Sequence, residues 1–499
     1  MRAMGPGRPW APGRRARRRP RRTRPRPMPA TGHPLARNPT HPEAVMARTR
    51  GTDARVVLGG VLALALAFPV APVRAGQHTL PRIEGAIGMD QAVSLAIEHS
   101  RKIKAAAADE RAMRSMQREA TAGFFPQASA NGYLVNQNMT PNIYNSAGDT
   151  MARNYQWFGT NRAQDVNVSV MWPLFSGGRT YYGYKAARSR ADAAVLMREG
   201  TELDVAMQAR FDYIGAMREQ ENARVTADLV RLTEERLRVT REEFAAGRVA
   251  RVNVLRDEAE LANAVQLDTA AQSQAALALI ALKTTLGIDL DSAIAATEPL
   301  QFVPERVSVE SGVRTALEAH PEVRAAEKRV EAAQSEVRSA YGRYLPEVSA
   351  TWMYDWQWAR NRGDQTTDLM DGYSAGLVLT IPLFDGFMRE NAVKTARARE
   401  DQAREQAVLA RQQIAKTVNQ AALMLQAAER NVEASRTGLA QAEEQFRIVQ
   451  ERYASGRGIQ VEVLDAQTAL ARARFNVVGA LADHQAARAM WLQATGRVR

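Results

Sequence analysis

Few residues in this 499-residue chain are placed to do covalent chemistry. There is no cysteine, which excludes a disulfide framework, a thiolate-bound metal and a thiol nucleophile. The six histidines, at 33, 41, 78, 99, 320 and 484, lack the paired spacing of a metal site. Ser176-Gly-Gly-Arg179 is Gly-rich but sits at a strand-to-helix hinge, and no phosphate-cradling loop, nucleophile elbow or His/acid cluster is present. The chain therefore reads as no enzyme, with no cofactor and no metal. What remains is electrostatic. Glu462 and Asp465 lie one helical turn apart, just past Gly456. Acids in a first turn complement the helix dipole, which is one reading of the pair. The positions 209 residues earlier hold Asn253 and Arg256, so the turn itself does not demand acids, although Asp257 stands next door.

Charge separates the chain into a head and a body. The formal net charge is +13, and residues 1–45 carry twelve Arg, ten Pro and a single acid, Glu43. Such a segment buries no core and reads as a disordered extension: either a basic nucleic-acid arm or, the favoured reading, translation from an upstream start. From Met46 the layout changes to a basic stretch, a fifteen-residue apolar run from Val56 to Val70, and small residues at Val73 and Ala75. That is a secretory signal over 46–75, since fifteen residues are too few to span a bilayer. Removing +11 for residues 1–45 and +3 for 46–75 leaves −1 for 76–499. A near-neutral body offers no electrostatic footprint for nucleic acid.

The body is a tandem repeat, 76–300 and 301–499. Ala96-Ile-Glu-His-Ser matches Ala316-Leu-Glu-Ala-His, and Phe125-Pro126-Gln-Ala-Ser matches Leu345-Pro346-Glu-Val-Ser, both at an offset of 220. Trp172-Pro173-Leu-Phe-Ser-Gly matches Ile381-Pro382-Leu-Phe-Asp-Gly at 209, as do the stretches around Gly247 and Gly456. The first copy thus carries eleven extra residues between its two proline landmarks.

Within each copy the period switches. Val418, Leu425, Val432, Leu439, Phe446 and Tyr453 recur every seven residues, with Ala421, Ala428, Ser435, Ala442 and Val449 three further on. The first copy keeps the large row more weakly, as Ala209, Ala216, Ala223, Val230, Leu237 and Phe244. Long helices from Pro173 to Gly247 and from Pro382 to Gly456 follow, with return helices over 250–288 and 460–496. Between the prolines the pattern alternates, giving strands at about 127–137, 164–173, 347–358 and 373–382. Trp352, Tyr354, Trp356 and Trp358 share one parity, as do Val166, Val168, Val170 and Trp172. In the first strand, which has little contrast, Tyr133 and Val135 are the outward candidates. Polar loops fill about 138–163 and 359–372. Apolar alternation rich in Trp and Tyr in an exported chain reads as membrane barrel strands. Four strands cannot close a barrel and open edges are not tolerated in lipid, so several copies must combine.

Signal sequence, duplicated body, heptad helices, four strands and the prolines 126, 173, 346 and 382 resemble the TolC-like outer membrane factor family. The tip stretches Phe244-Ala-Ala-Gly-Arg248 and Tyr453-Ala-Ser-Gly-Arg457 are the most specific part of the likeness. The resemblance implies an α+β membrane protein with a duplicated helix–strand–strand–helix repeat. It implies a homotrimer with a 12-stranded barrel in outer-membrane lipid and a helical tunnel in the periplasm. It implies an exit duct for a tripartite efflux pump or type I secretion, with a periplasmic adaptor (membrane fusion protein) and an RND or ABC inner-membrane pump as partners. Residue by residue, it makes Pro126, Pro173, Pro346 and Pro382 the barrel–tunnel hinges, and Gly247, Arg248, Gly456 and Arg457 the adaptor-contact tips. It makes Glu462 and Asp465 an acidic constriction ring, and Tyr453 with Asn253 a latch weakened because Asn replaces an acid. The segment 289–310 would join an equatorial collar. The alternative is a periplasmic coiled-coil adaptor or structural protein without a barrel, which would lack the duplication and the Trp-rich strands.

N-terminal sequencing of the mature protein should give a start near Gly76. A mature chain that begins before Met46 would overturn the signal assignment.

Overall fold

The computed structural model describes residues 80–135, 160–361 and 367–497. The 1–45 extension, the 46–75 signal and most of the 138–163 loop lie outside the described residues. The first copy runs β1 (Gly85–Ile87), α1 (Met89–His99), α2 (Arg101–Ala122), β2 (Gln127–Val135), β3 (Thr160–Phe175), α3 (Arg179–Ala245) and α4 (Arg251–Leu286). The second runs β4 (Ile294–Ala296), α5 (Val309–Ala319), α6 (Pro321–Tyr341), β5 (Glu347–Asn361), β6 (Thr367–Thr380), α7 (Met388–Ala454) and α8 (Gln460–Ala494). The chain is thus mostly helical, with one antiparallel sheet.

The long helices α3 and α7 have 67 residues each, or about 100 Å at 1.5 Å per residue. They begin after their expected start because the hinge turns Gly177–Gly178 and Gly386–Phe387 intervene, all four residues having positive φ. Heptad packing supplies the burial. Val418, Leu425 and Val432 are fully buried on α7, with Ala421, Ala428 and Ala442 buried in the companion row. The α1–α2 and α5–α6 bends are capped at equivalent positions. The Ser100 side chain accepts from the Ile103 amide, and the His320 ring accepts from the Glu322 amide ahead of Pro321 at the first helical turn.

Two cores hold the helices at mid-length. In the first copy, α1, α3 and α4 close around Tyr213, whose hydroxyl donates to the Ile87 carbonyl and accepts from the Glu298 amide, both at 3.0 Å. In the second, Trp491 packs over Gly312, where a Cβ would lie 2.4 Å from the indole ring. The short strands β1 and β4 pair in parallel, with Gly85 opposite Ile294. That pairing is at an offset of 209, whereas α1 and α5 stand at 220. The offset therefore changes a second time, in the segment between β4 and α5.

The sheet order is β2-β3-β5-β6, so β2 and β6 are its open edges. Register aligns the faces. Ala130, Val168, Tyr354 and Tyr373 form one cross-strand row, and Ala128, Val170, Trp352 and Ala375 the next. The opposite face carries Asn131, Asn167 and Asp355 in one row and Ser129 and Ser169 in another. On it Ser129 Oγ and Ser169 Oγ lie 2.9 Å apart, and Asn131 Nδ2 donates to Asn167 Oδ1 at 3.1 Å. Tyr133 and Val135 fall on this polar face, opposite Asp165 and Ala163, which corrects their outward assignment. The outward positions of β2 are Ala128, Ala130, Gly132 and Leu134, three of them too small to give a hydrophobic signal, and a one-residue misphasing exchanges the faces. The sheet also outruns its expected limits. β5 reaches Asn361 and β6 starts at Thr367, so most of the polar stretch 359–372 is strand, since backbone pairing is indifferent to side-chain polarity.

Candidate functional site at the helical tips

The helix tips gather most of the chemically distinctive residues. Both hairpins turn in the same way. The Gly247 amide donates to the Phe244 carbonyl and the Arg248 amide to that of Glu243, while Gly456 and Arg457 repeat the pattern on Tyr453 and Arg452. Gly247 and Gly456 have φ of 71° and 72°, the left-handed cap that favours glycine. An added Cβ would meet nothing within 4 Å at either, so backbone conformation alone selects glycine there. Arg248 and Arg457 follow as exposed side chains.

Glu462 lies in the first turn of α8, half-exposed, with its Oε2 4.0 Å from an Arg452 Nη. Asp465 is exposed. Both stand off the face that buries Gln460, Val463, Ala466, Gln467 and Leu470 in the bundle, Asp465 open and Glu462 partly covered, with its Oε2 buried and without a hydrogen-bond donor. Tyr453 and Asn253 do not form the expected latch within the protomer. The Tyr453 hydroxyl donates to Glu243 Oε2 at 3.3 Å, and the Asn253 carbonyl accepts from Gln460 Nε2 at 3.3 Å. Burial first, and then the Glu243 carboxylate, push the Tyr453 hydroxyl above the ordinary tyrosine range. The physical reason for the exchange of partner is charge: a carboxylate accepts a hydroxyl proton better than a neutral amide does.

Behind the tips is a buried polar network that the heptad pattern alone does not single out. Asp257, fully buried on α4, accepts from Arg236 Nε at 3.1 Å and from Thr240 Oγ1 at 2.7 Å. Arg236 Nη1 donates to Gln467 Oε1, and Gln467 Nε2 donates to Thr233 Oγ1 at 3.0 Å. Three helices, α3, α4 and α8, are thereby tied at one level. A signal was available in the spacing: Thr226, Thr233 and Thr240 recur every seven residues, three beyond the large row. Thr226 Oγ1 donates to Asp268 Oδ1 at 2.7 Å, a second rung between α3 and α4.

At the other end of the long helices stand the prolines. Pro126 and Pro346 immediately precede β2 and β5, and Pro382 lies just beyond β6. Pro173 departs from the junction pattern, lying inside β3 at a register shift between Pro173 and Phe175. An irregularity in the ladder is where a residue without an N–H is tolerated. Among the described residues no group of His, Asp or Glu side chains is placed to hold a metal, and no helix is long and apolar enough to cross a membrane.

The outer membrane efflux protein family matches the chain over residues 92–288 and 312–497, that is, once in each copy. The outer membrane efflux protein BepC of Brucella suis is 25% identical over 355 residues, 71% of this chain and 75% of that protein. Protein CyaE of Bordetella pertussis is 26% identical over 338 residues, 66% of this chain and 70% of that protein. Among solved structures, the outer membrane protein VceC of Vibrio cholerae superposes with a TM-score of 0.69 at 19% identity, over 82% of this chain and 96% of that one. CusC does so with a TM-score of 0.69 at 16% identity, over 85% and 95%. These structural likenesses establish a TolC-like fold.

Asp257→Ala should strand the Arg236 guanidinium in a buried setting, at a cost of about 3–5 kcal/mol. Hydrogen exchange of the α3 and α4 amides near the tips should accelerate accordingly. Replacing both Arg236 and Asp257 by Leu should restore most of the protection.

Proposed function

The chain belongs to the outer membrane efflux protein family, and from that premise we propose that three copies form the exit duct of a tripartite efflux pump or a type I secretion system. It is an outer membrane exit channel. In the proposed assembly each protomer gives four strands to a 12-stranded barrel, and the paired hairpins form a tunnel across the periplasm. The observation that carries this reading is the sheet. One of its faces is mostly Val, Trp, Tyr and Ala, interrupted by Asp371, which accepts from the Tyr354 hydroxyl at 2.6 Å, while β2 and β6 leave unpaired backbone groups at both margins. Hydrocarbon offers those groups no partner, so only closure with further copies satisfies them. The polar face with Asn131, Asn167 and Asp355 then lines the lumen.

At the tips, Glu462 and Asp465 from three protomers would place six carboxylates around the mouth and attract cations. The exposed Arg248 and Arg457 would meet a periplasmic adaptor, with an inner-membrane pump of the RND or ABC type behind it. The prolines at 126, 173, 346 and 382 would act as the barrel–tunnel hinges.

The protein should require detergent for extraction from the outer membrane and run on gels as a trimer that heat dissociates; a soluble monomer would end the proposal. In reconstituted channels, Glu462→Ala with Asp465→Ala should abolish block by multivalent cations added from the tip side. Block that survives places the constriction elsewhere. Charge reversal at Arg248 and Arg457 should lower export while trimers persist in the membrane, and unchanged export would return both side chains to solvent.

A further inference from the structure

The two copies present the same hinge in two settings. In the first copy the turn between β3 and α3 is covered within the protomer. A Cβ at Gly177 would lie 2.3 Å from the Gly342 carbonyl oxygen and 2.8 Å from Leu345 Cβ. Arg179 pairs with Glu347, and Ser339 Oγ donates to the Arg179 carbonyl at 3.3 Å. The partner surface is thus the end of α6 and the start of β5.

The second-copy hinge holds Arg389 against Asp385 at 2.7 Å and over the Tyr344 ring at 5.2 Å, but its apolar side is uncovered. A Cβ at Gly386 would meet nothing within 4 Å. Leu383 and Phe384 are 89% and 78% exposed, against 48% and 49% for their equivalents Leu174 and Phe175. Phe387 has φ of 66°, the only positive value among the described non-glycine residues. Its equivalent is Gly178. A bulky L residue adopts that conformation at a steric cost, yet here its ring stands 63% exposed beside Phe384 and Met388. Within the protomer the ring packs edge-on against Phe384, itself exposed, with centroids 5.9 Å apart, which leaves the pair open to a partner.

We infer that this patch is an inter-protomer clasp, seated on the α2–β2 junction of the next copy of the same chain. The inference rests on the trimeric reading above and supplies its residue pairing. Its occupant is fixed by continuity: the patch directly follows β6, whose open edge must be paired. The internal repeat then dictates the register. The second-copy side is displaced by 209 from β3, and its partner is displaced by 220 from β5. Met171 opposite Thr351 and Trp172 opposite Ala350 in the protomer therefore become Thr380 opposite Asn131 and Ile381 opposite Ala130 of the neighbour. The surface of Gly342 and Leu345 becomes Ala122 and Phe125, the latter 63% exposed. The chemistry of the joint changes with it. Arg179 and Glu347 are replaced by Met388 and Gln127, so the ion pair inside the protomer gives way to an apolar contact of Phe384, Phe387 and Met388 with Phe124 and Phe125 between protomers. Ala122 in place of Gly342 also keeps this second joint from closing as tightly, because a Cβ at Gly342 would lie 2.5 Å from the Gly177 carbonyl oxygen.

The chain has no cysteine, which makes the register directly testable in detergent-extracted full-length protein. Thr380→Cys with Asn131→Cys should give covalent dimers and trimers on oxidation, and either single variant should not. Phe387→Gly should lower the temperature at which trimers dissociate, even though it relieves the left-handed backbone. Trimers that cross-link through Thr380→Cys with Ser129→Cys or Tyr133→Cys instead would overturn the register. A Phe387→Gly trimer that dissociates at the wild-type temperature or above it would overturn the clasp. Wild-type protein that forms no trimer removes the assembly itself, and the clasp with it.

Discussion

The backbone of β2 and β6 sets the terms for the rest of the molecule. A four-stranded sheet with a largely apolar face has two margins whose N–H and C=O groups lack ladder partners, and in the proposed barrel those groups would face hydrocarbon. No side-chain choice mends that, because the defect is in the main chain. The remedy in the proposed assembly is to present two edges in one register and let copies of the chain complete each other. The duplication makes this economical. The junction that closes β3 on β5 inside the protomer would then serve again for β6 between protomers.

Duplication also accounts for where the two copies differ. Each hinge must redirect the chain from a tilted strand to a long helix, and both use a pair of positive-φ residues. Inside the protomer the joint forms once, during folding, and carries the Arg179–Glu347 pair and the mutual approach of Gly177 and Gly342. The second-copy hinge keeps its charges to itself, as the Asp385–Arg389 pair, and presents exposed aromatic residues outward. Apolar surface that is non-directional suits a contact between separately folded chains, whose approach angle is not fixed in advance.

How much of this was legible depended on the size of the signal each residue carries. Heptad rows of Val, Leu and Phe stood out because a bulky side chain every seven residues marks a packed helix seam, and glycine at 247 and 456 marked the turns. The prolines marked the ends of β2, β5 and β6 to within a few residues. Three things were not legible. Three of the four outward positions of β2 are Ala or Gly, which carry almost no hydrophobic contrast, so Tyr133 outweighed Leu134 and drew the assignment to the wrong parity. The partner of Tyr453 is Glu243, 210 residues away, a long-range contact that no local pattern encodes. The Asp257–Arg236–Gln467 network joins three helices, and its members look like ordinary solvated residues until the fold brings them together.

That network answers a question the heptads leave open. An apolar row alone does not fix the axial register of two long helices, because a slip of one heptad re-buries similar side chains. In the first hairpin the second row is Thr226, Thr233 and Thr240, and two of these meet Asp268 and Asp257 on α4. A slip would leave the fully buried Asp257 without its donors, which is far more costly than mispacked alanine. The equivalent row of the second hairpin is Ser435, Ala442 and Val449, with no such lock. Its register is instead borrowed. Gln467 on α8 reaches Thr233 and Arg236 on α3, and Tyr453 on α7 reaches Glu243. One hairpin is therefore indexed by its own buried polar rungs, and the other is indexed against the first. Between them they hold Gly247 and Gly456 as the turns of two helices of equal length, which a set of tips acting together requires.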